Sequence, residues 1–148
     1  MFDSAMVTAI LLTVITAATP VLLAATGELV VERSGVLNLG MEGMMAMGAV
    51  GGFAAANLSG STLLGVIAAA LCGMVISSPF AFLVINLAAN QVATGLSLTL
   101  LGLGAAAMLG EPFLGLPGER LPALAIPGLS DVPFLGPILF GQDGLVYF

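Results

Sequence analysis

Apolar residues run along this chain in long blocks, interrupted at a few points by short polar clusters. The first block extends roughly from Ser4 to Thr26, with Pro20 inside it, and is followed by Gly27-Glu28 and then Glu32-Arg33-Ser34-Gly35. A second, about Val36 to Asn57, is crowded with glycine and interrupted by Asn38 and Glu42, and a turn at Asn57-Leu58-Ser59-Gly60-Ser61 closes it. The third, about Thr62 to Leu87, contains Ser77-Ser78-Pro79; Asn86 to Gln91 then forms a brief polar break before a fourth block from about Val92 to Leu109. A helix needs about 20 apolar residues to cross a bilayer, so the blocks predict four transmembrane segments. Beyond Gly110 the texture changes, because all of the eight prolines except Pro20 and Pro79 fall between Pro112 and Pro137. Proline removes a backbone donor and clashes with the preceding turn, so residues 111–137 predict a Pro/Gly-rich loop, which the positive-inside rule makes extracytoplasmic once Arg33 is placed inside. Its apolar side chains would pack across the bundle mouth or lie at the membrane surface. An apolar run resumes at Ile138 and reads as the start of a fifth segment, with too few residues before Phe148 to span. That predicts a piece of something longer.

The predicted fold is therefore an all-α integral membrane protein. It is a polytopic helical bundle of about four transmembrane segments plus the start of a fifth, forming a single transmembrane domain over residues 1–148. One helix is broken or bent around residues 34–44, where Gly35, Gly40 and Gly43 bracket Asn38. Small residues recur every four positions inside the blocks: Gly48, Gly52 and Ala56; Ala69, Gly73 and Ser77; Gly102, Ala106 and Gly110. Such ridges let helix backbones approach closely in lipid, where packing drives association.

Composition narrows the possible chemistry. Hydrophobic residues make up 59% of the chain and charged residues 7%, against about 25% charged in soluble domains, so no water-facing surface can be assembled. There is no His, no Lys and no Trp, and Cys72 is the single cysteine. A histidine triad, a histidine metal site, a disulfide framework and a basic nucleic-acid surface are excluded. No GxxxxGK[ST] phosphate loop is present, and Cys72, in mid-segment, reads as packing. The N-terminus lacks the positive start of a secretory signal. The net charge of −6 is spread over isolated islands, and from Gly43 to Gly110 there is no charged residue at all.

The informative stretch is Glu28 to Gly52. Glu42 is an ionisable residue beside or within a span, a costly position unless solvated or paired, and Arg33 could pair with it, with Glu28 or with Glu32. Two readings stay open and are compatible. In one, a bent element lines a polar pathway, since irregular backbone at membrane depth is tolerated where it lines a cavity or is buried in protein. In the other, Ser34 and Asn38 satisfy free N–H groups at the start of a helix whose N-terminus favours the acids. Asn86, Asn90, Gln91, Thr94 and Ser97 cluster around the start of the fourth segment, where Asn90, Thr94 and Ser97 share one face by their i, i+4, i+7 spacing. They suit either solute contact or hydrogen bonding between helices.

The run Glu32-Arg33-Ser34-Gly35-Val36-Leu37-Asn38-Leu39-Gly40-Met41-Glu42-Gly43 resembles the signature near the N-terminus of bacterial ABC-importer permeases serving simple sugars, nucleosides and branched-chain amino acids. Asn90-Gln91-Val92-Ala93-Thr94-Gly95-Leu96-Ser97-Leu98-Thr99 resembles a second motif of the nucleoside and simple-sugar branch. Ile126 to Pro133 and Gly136 to Asp143 resemble its extracytoplasmic loop. The resemblance implies a non-enzymatic permease subunit that moves a neutral polar solute, a nucleoside or simple sugar, across the bacterial inner membrane. A separate ATPase subunit carrying ATP and Mg would drive it, so this chain itself holds no cofactor and no metal. Implied partners are that ATPase, a second related permease, an extracytoplasmic solute-binding lipoprotein and membrane lipid, with no nucleic acid. Asn38, Glu42, Asn86, Asn90, Gln91, Thr94 and Ser97 become candidates for the solute pathway. Glu32, Arg33, Ser34, Gly35, Gly40 and Gly43 become its motif residues. Family members are about twice this long, and their coupling segment to the ATPase follows a later span, so the chain resembles an N-terminal half. Two other readings are an ion-coupled secondary transporter using Glu42, and a truncated membrane subunit that does not transport. Placing Arg33 inside by the positive-inside rule makes the N-terminus extracytoplasmic and leaves Arg120 outside.

Overall fold

The computed structural model describes residues 4–118, 121–124, 138 and 140–147. Most of the expected Pro/Gly-rich loop, with Arg120, lies outside them. The contacts divide the chain into two units, Thr26–Arg120 and Met1–Ala25 with Leu121–Phe148.

Four long helices follow one another: α1 (Ser4–Arg33), α2 (Met41–Ser59), α3 (Thr62–Ala81) and α4 (Gln91–Gly110). Three helical stretches, Met6–Arg33, Thr62–Asn86 and Gln91–Phe113, are long and apolar enough to cross a membrane. The remaining helix, α2, has 19 residues, and its glycines, Glu42 and Asn57 dilute its hydropathy. It is the central element of its unit, packed against both α3 and α4.

The first helix runs past its expected end at Thr26 to Arg33. The polar residues that looked like a loop are good helix formers, and they extend a helix of 30 residues to about 45 Å, beyond the hydrocarbon core of about 30 Å. Gly35, at φ +86°, stops it. The Gly35 N–H donates to the Glu32 carbonyl at 2.9 Å and the Val36 N–H to the Val31 carbonyl at 3.4 Å, the paired bonds of a Schellman ending. Ser34 Oγ donates to the same Val31 carbonyl at 2.7 Å. Ser34 thus closes the C-terminus of α1, where an N–H of the following helix was the expected partner. Residues 34–40 are non-helical and α2 resumes at Met41, so the expected break over 34–44 is confined to its first seven positions.

The turn between α2 and α3 is built as expected. Gly60 sits at φ +64°, its N–H donating to the Ala56 carbonyl at 2.8 Å, and the Ser61 side chain accepts from the Leu64 N–H. These helices run antiparallel at backbone contact. A Cβ on Gly48 would lie 3.2 Å from the Ala69 carbonyl oxygen, and one on Gly65 2.9 Å from that of Gly52. The ridge Gly48, Gly52, Ala56 is buried as predicted. On α3 the opposing face is Gly65 and Ala69, with Cys72 packed on Gly51; Gly73 faces open space. The ridge there is set one turn earlier than expected.

Proline 79 deprives the Val75 carbonyl of its usual donor, and Ser78 Oγ replaces it at 2.7 Å. A π-helical turn, Phe82–Asn86, continues α3, and Ala88 is left-handed at φ +49°. Helix α4 then starts on Asn90, whose side chain accepts from the Ala93 N–H at 3.0 Å. It returns parallel to α2: Gly102 meets Gly43, and further along Gly110 meets Val50. The breaks at 34–40 and 86–90 therefore share one end of this unit, and the Gly60 turn lies at the other with residues 111–118. There a single 3-10 turn, Glu111–Phe113, brings Phe113 edge-on to Phe53 at 6.4 Å between ring centres. Asn57 Nδ2 donates to the Pro117 carbonyl at 3.3 Å. The described start of the loop thus packs over the end of α2.

In the other unit, Ala123 and Asp143 form an isolated antiparallel bridge. Residues 140–147, expected to begin a further segment, form bends and turns. Asp143 Oδ1 accepts from the N–H groups of Leu145 and Val146 at 3.0 and 3.2 Å, an arrangement that holds a turn in place of a helix.

Candidate functional site

Loop 34–40 lies between the end of α1 and the start of α4, and side chains from both helices hold its backbone. From α1, Glu28 Oε1 accepts the Asn38 N–H at 3.0 Å. From α4, Gln91 Oε1 accepts the Leu37 N–H at 2.7 Å while Gln91 Nε2 donates to the Gly35 carbonyl at 3.4 Å. About two turns further along α4, Thr99 Oγ1 donates to the Leu39 carbonyl at 2.7 Å. Within the loop, Asn38 Oδ1 accepts from the Gly40 N–H at 2.8 Å, and its Nδ2 reaches Met44 Sδ at 3.9 Å. Loop residues lack the regular partners of a helix, and these bonds satisfy their backbone groups in its place.

Glycines admit this closeness. A Cβ on Gly95 would lie 2.7 Å from the Leu39 nitrogen; one on Gly40, 2.5 Å from Leu98 Cδ2; and one on Gly43, 2.7 Å from the Leu98 carbonyl. Gly95, Leu98, Gly102 and Ala106 form one buried face of α4, the predicted small-residue ridge extended by two positions toward the N-terminus. The two sequence motifs, Glu32–Gly43 and Asn90–Thr99, are thus two sides of one packed contact.

The candidate residues divide into three groups. Asn38, 6% exposed, and Gln91 are committed to the loop. Thr94 and Ser97 line a groove of about 260 Å³ on α3 and α4 with Pro79, Phe80, Leu83, Ala93, Leu98 and Leu101. Their hydroxyls donate to the Asn90 and Ala93 carbonyls, each at 2.8 Å, which leaves oxygen lone pairs available to accept. Asn90, expected on the same face, serves as the α4 N-cap. Glu42 in the first turn of α2 and Asn86 at the end of the π-helical turn are exposed and belong to neither arrangement. Among the described residues Arg33 forms no ion pair with Glu28, Glu32 or Glu42; Glu28 turns to the loop backbone instead. Among the motif residues, Gly35 ends α1, Gly40 and Gly43 face α4, and Glu32 and Arg33 are exposed.

Glu28 and Thr99 were not singled out from the sequence as site residues. Glu28 sits outside the motif that drew attention, ten positions before its hydrogen-bond partner Asn38. Its Oε2 is buried with no hydrogen-bond partner among the described residues. Glu28→Gln keeps an oxygen for the Asn38 N–H, whereas Glu28→Ala leaves that N–H unmatched at a cost of about 1–3 kcal/mol. The expected result is a clearly lower thermal unfolding midpoint in detergent for Glu28→Ala and a near-normal one for Glu28→Gln. Equal losses for the two variants would show that the charge matters and the acceptor does not.

Comparison with known proteins agrees with this architecture. A family model described as branched-chain amino acid transport system / permease component matches residues 10–125. Neither a curated protein nor a solved structure matches.

Proposed function

The chain belongs to the branched-chain amino acid transport system permease family, and on that premise we propose that it is a membrane subunit of an ABC importer for a neutral polar solute, a nucleoside or simple sugar. The observation that carries the solute class is the absence of any charged residue from Gly43 to Gly110. The groove on α3 and α4 offers two hydroxyls against an apolar wall. A zwitterionic amino acid would need partners for both of its charges, whereas a sugar or nucleoside needs hydrogen-bonding groups and a face to lie on. The driving step, ATP hydrolysis with Mg, belongs to a partner ATPase. A second, related permease and an extracytoplasmic binding lipoprotein complete the assembly in the bacterial inner membrane. The end that carries the two backbone breaks and Arg33 faces the cytoplasm, which puts the N-terminus outside.

The test is uptake into proteoliposomes that contain this permease with its ATPase and partner permease, supplied with binding protein. Radiolabelled nucleoside is expected to accumulate only with ATP, and excess leucine is expected not to compete. Accumulation of leucine in preference to nucleoside would overturn the solute class. Uptake without the ATPase that collapses with the proton gradient, and with Glu42→Gln, would replace the proposal by an ion-coupled transporter.

A further inference from the structure

We infer that Gln91 is a positioning residue that latches loop 34–40 to α4, so that the two move as one body when the path opens and closes. A glutamine amide has one acceptor and one donor end, and here both ends are matched to the loop backbone, Oε1 to the Leu37 N–H at 2.7 Å and Nε2 to the Gly35 carbonyl at 3.4 Å. The contact spans 54 and 56 positions of sequence, so it joins two separate elements. It sits at the first residue of α4, just after the π-helical turn and left-handed Ala88. The chain entering α4 from α3 is thus irregular, and Gln91 fixes the start of the helix to something else. Further along the same contact, Thr99 holds the Leu39 carbonyl and Gly95 abuts the Leu39 backbone. Residues 35–39 are therefore gripped at several points by α4 and at one, Asn38, by Glu28 of α1. Both ends of its amide are turned to the loop backbone. Its effect on transport is exerted through the loop.

The inference rests on the proposed transport activity for one of its two measurements only. The first needs no transport. In a Cys72→Ala background, Leu37→Cys places a thiol on the loop at a position that is 37% exposed, and the rate of maleimide labelling in the assembled transporter reads how often the loop leaves α4. Loss of two backbone hydrogen bonds in Gln91→Ala is expected to raise that rate about tenfold. Gln91→Glu, which keeps the acceptor for the Leu37 N–H, is expected to restore part of the protection. In the second measurement, Gln91→Ala is expected to lower the maximal uptake rate and leave the solute concentration for half-maximal uptake unchanged. Unaltered labelling in Gln91→Ala overturns the latch, and so does a raised half-maximal concentration with an unchanged maximal rate, which marks direct solute contact. If no variant, the parent included, takes up nucleoside, the proposed solute fails while the labelling rates still decide the latch.

Discussion

Gly102→Val is expected to abolish recovery of folded, monodisperse protein in mild detergent. A Cβ at position 102 would lie 2.5 Å from the Gly43 Cα and 2.6 Å from its carbonyl carbon and oxygen, whereas carbon atoms in contact sit at about 3.5–4.0 Å. The obstacle is helix backbone, which cannot rotate aside as a side chain does, so α2 and α4 would have to separate by about 1 Å. Overpacking a tight interior costs about 1–3 kcal/mol and occasionally more. Here the loss spreads, because separation also loosens Gly95 from Leu39 and Leu98 from Gly40. Gly104→Val is the matched control, since a Cβ there meets nothing within 4 Å and its unfolding midpoint is expected to stay close to that of the parent. Size-exclusion profiles and thermal unfolding of the two variants check the pair. Similar losses in both would mean that valine itself, poorly suited to a helix interior, and not the close approach to Gly43, destabilises α4.

Asn38→Ala is expected to lower the uptake rate at least tenfold and to lower the unfolding midpoint as well. Its Oδ1 is the acceptor for the Gly40 N–H, and the residue is buried. An orphaned buried donor costs about 1–3 kcal/mol, and no helical bond can replace it, because Gly40 precedes the first turn of α2. Asn38→Asp keeps the oxygen but puts an unpaired carboxylate at a position that is 6% exposed, and burying a charge without a partner is costly, so aspartate is expected not to rescue. Uptake kinetics and unfolding measured together separate the two roles open to Asn38. A normal midpoint with a raised half-maximal solute concentration would place Asn38 on the solute path. A lowered midpoint with an unchanged half-maximal concentration assigns it to the loop.

Much of the fold was legible in the chain because its signals are local. The Gly60 turn and the buried faces of α2 and α4 follow from a few neighbouring residues and the helical repeat. Two misreadings have local causes too. Glu28, Glu32 and Arg33 read as a polar break after the first apolar block, yet such residues continue a helix readily, and only Gly35 brings it to a stop. On α3 the four-residue repeat of small residues fits two registers, and antiparallel packing on Gly52 selects Gly65 and Ala69 over Gly73.

The candidate site was legible in parts. Asn38 and Gln91 were each marked by being polar in an apolar chain, a rarity that can be read residue by residue. That they serve one loop could not be read, since 54 positions separate Leu37 from Gln91 and nothing local encodes a contact at that distance. The sequence by itself determined an all-helical membrane protein with a glycine-rich break before its second helix, because apolar length and helix breakers are properties of the chain. Only the tertiary structure decided which backbone groups Gln91, Thr99 and Glu28 satisfy. That depends on the register of α2 against α4, and the register is fixed where Gly43 and Gly102 let two backbones touch.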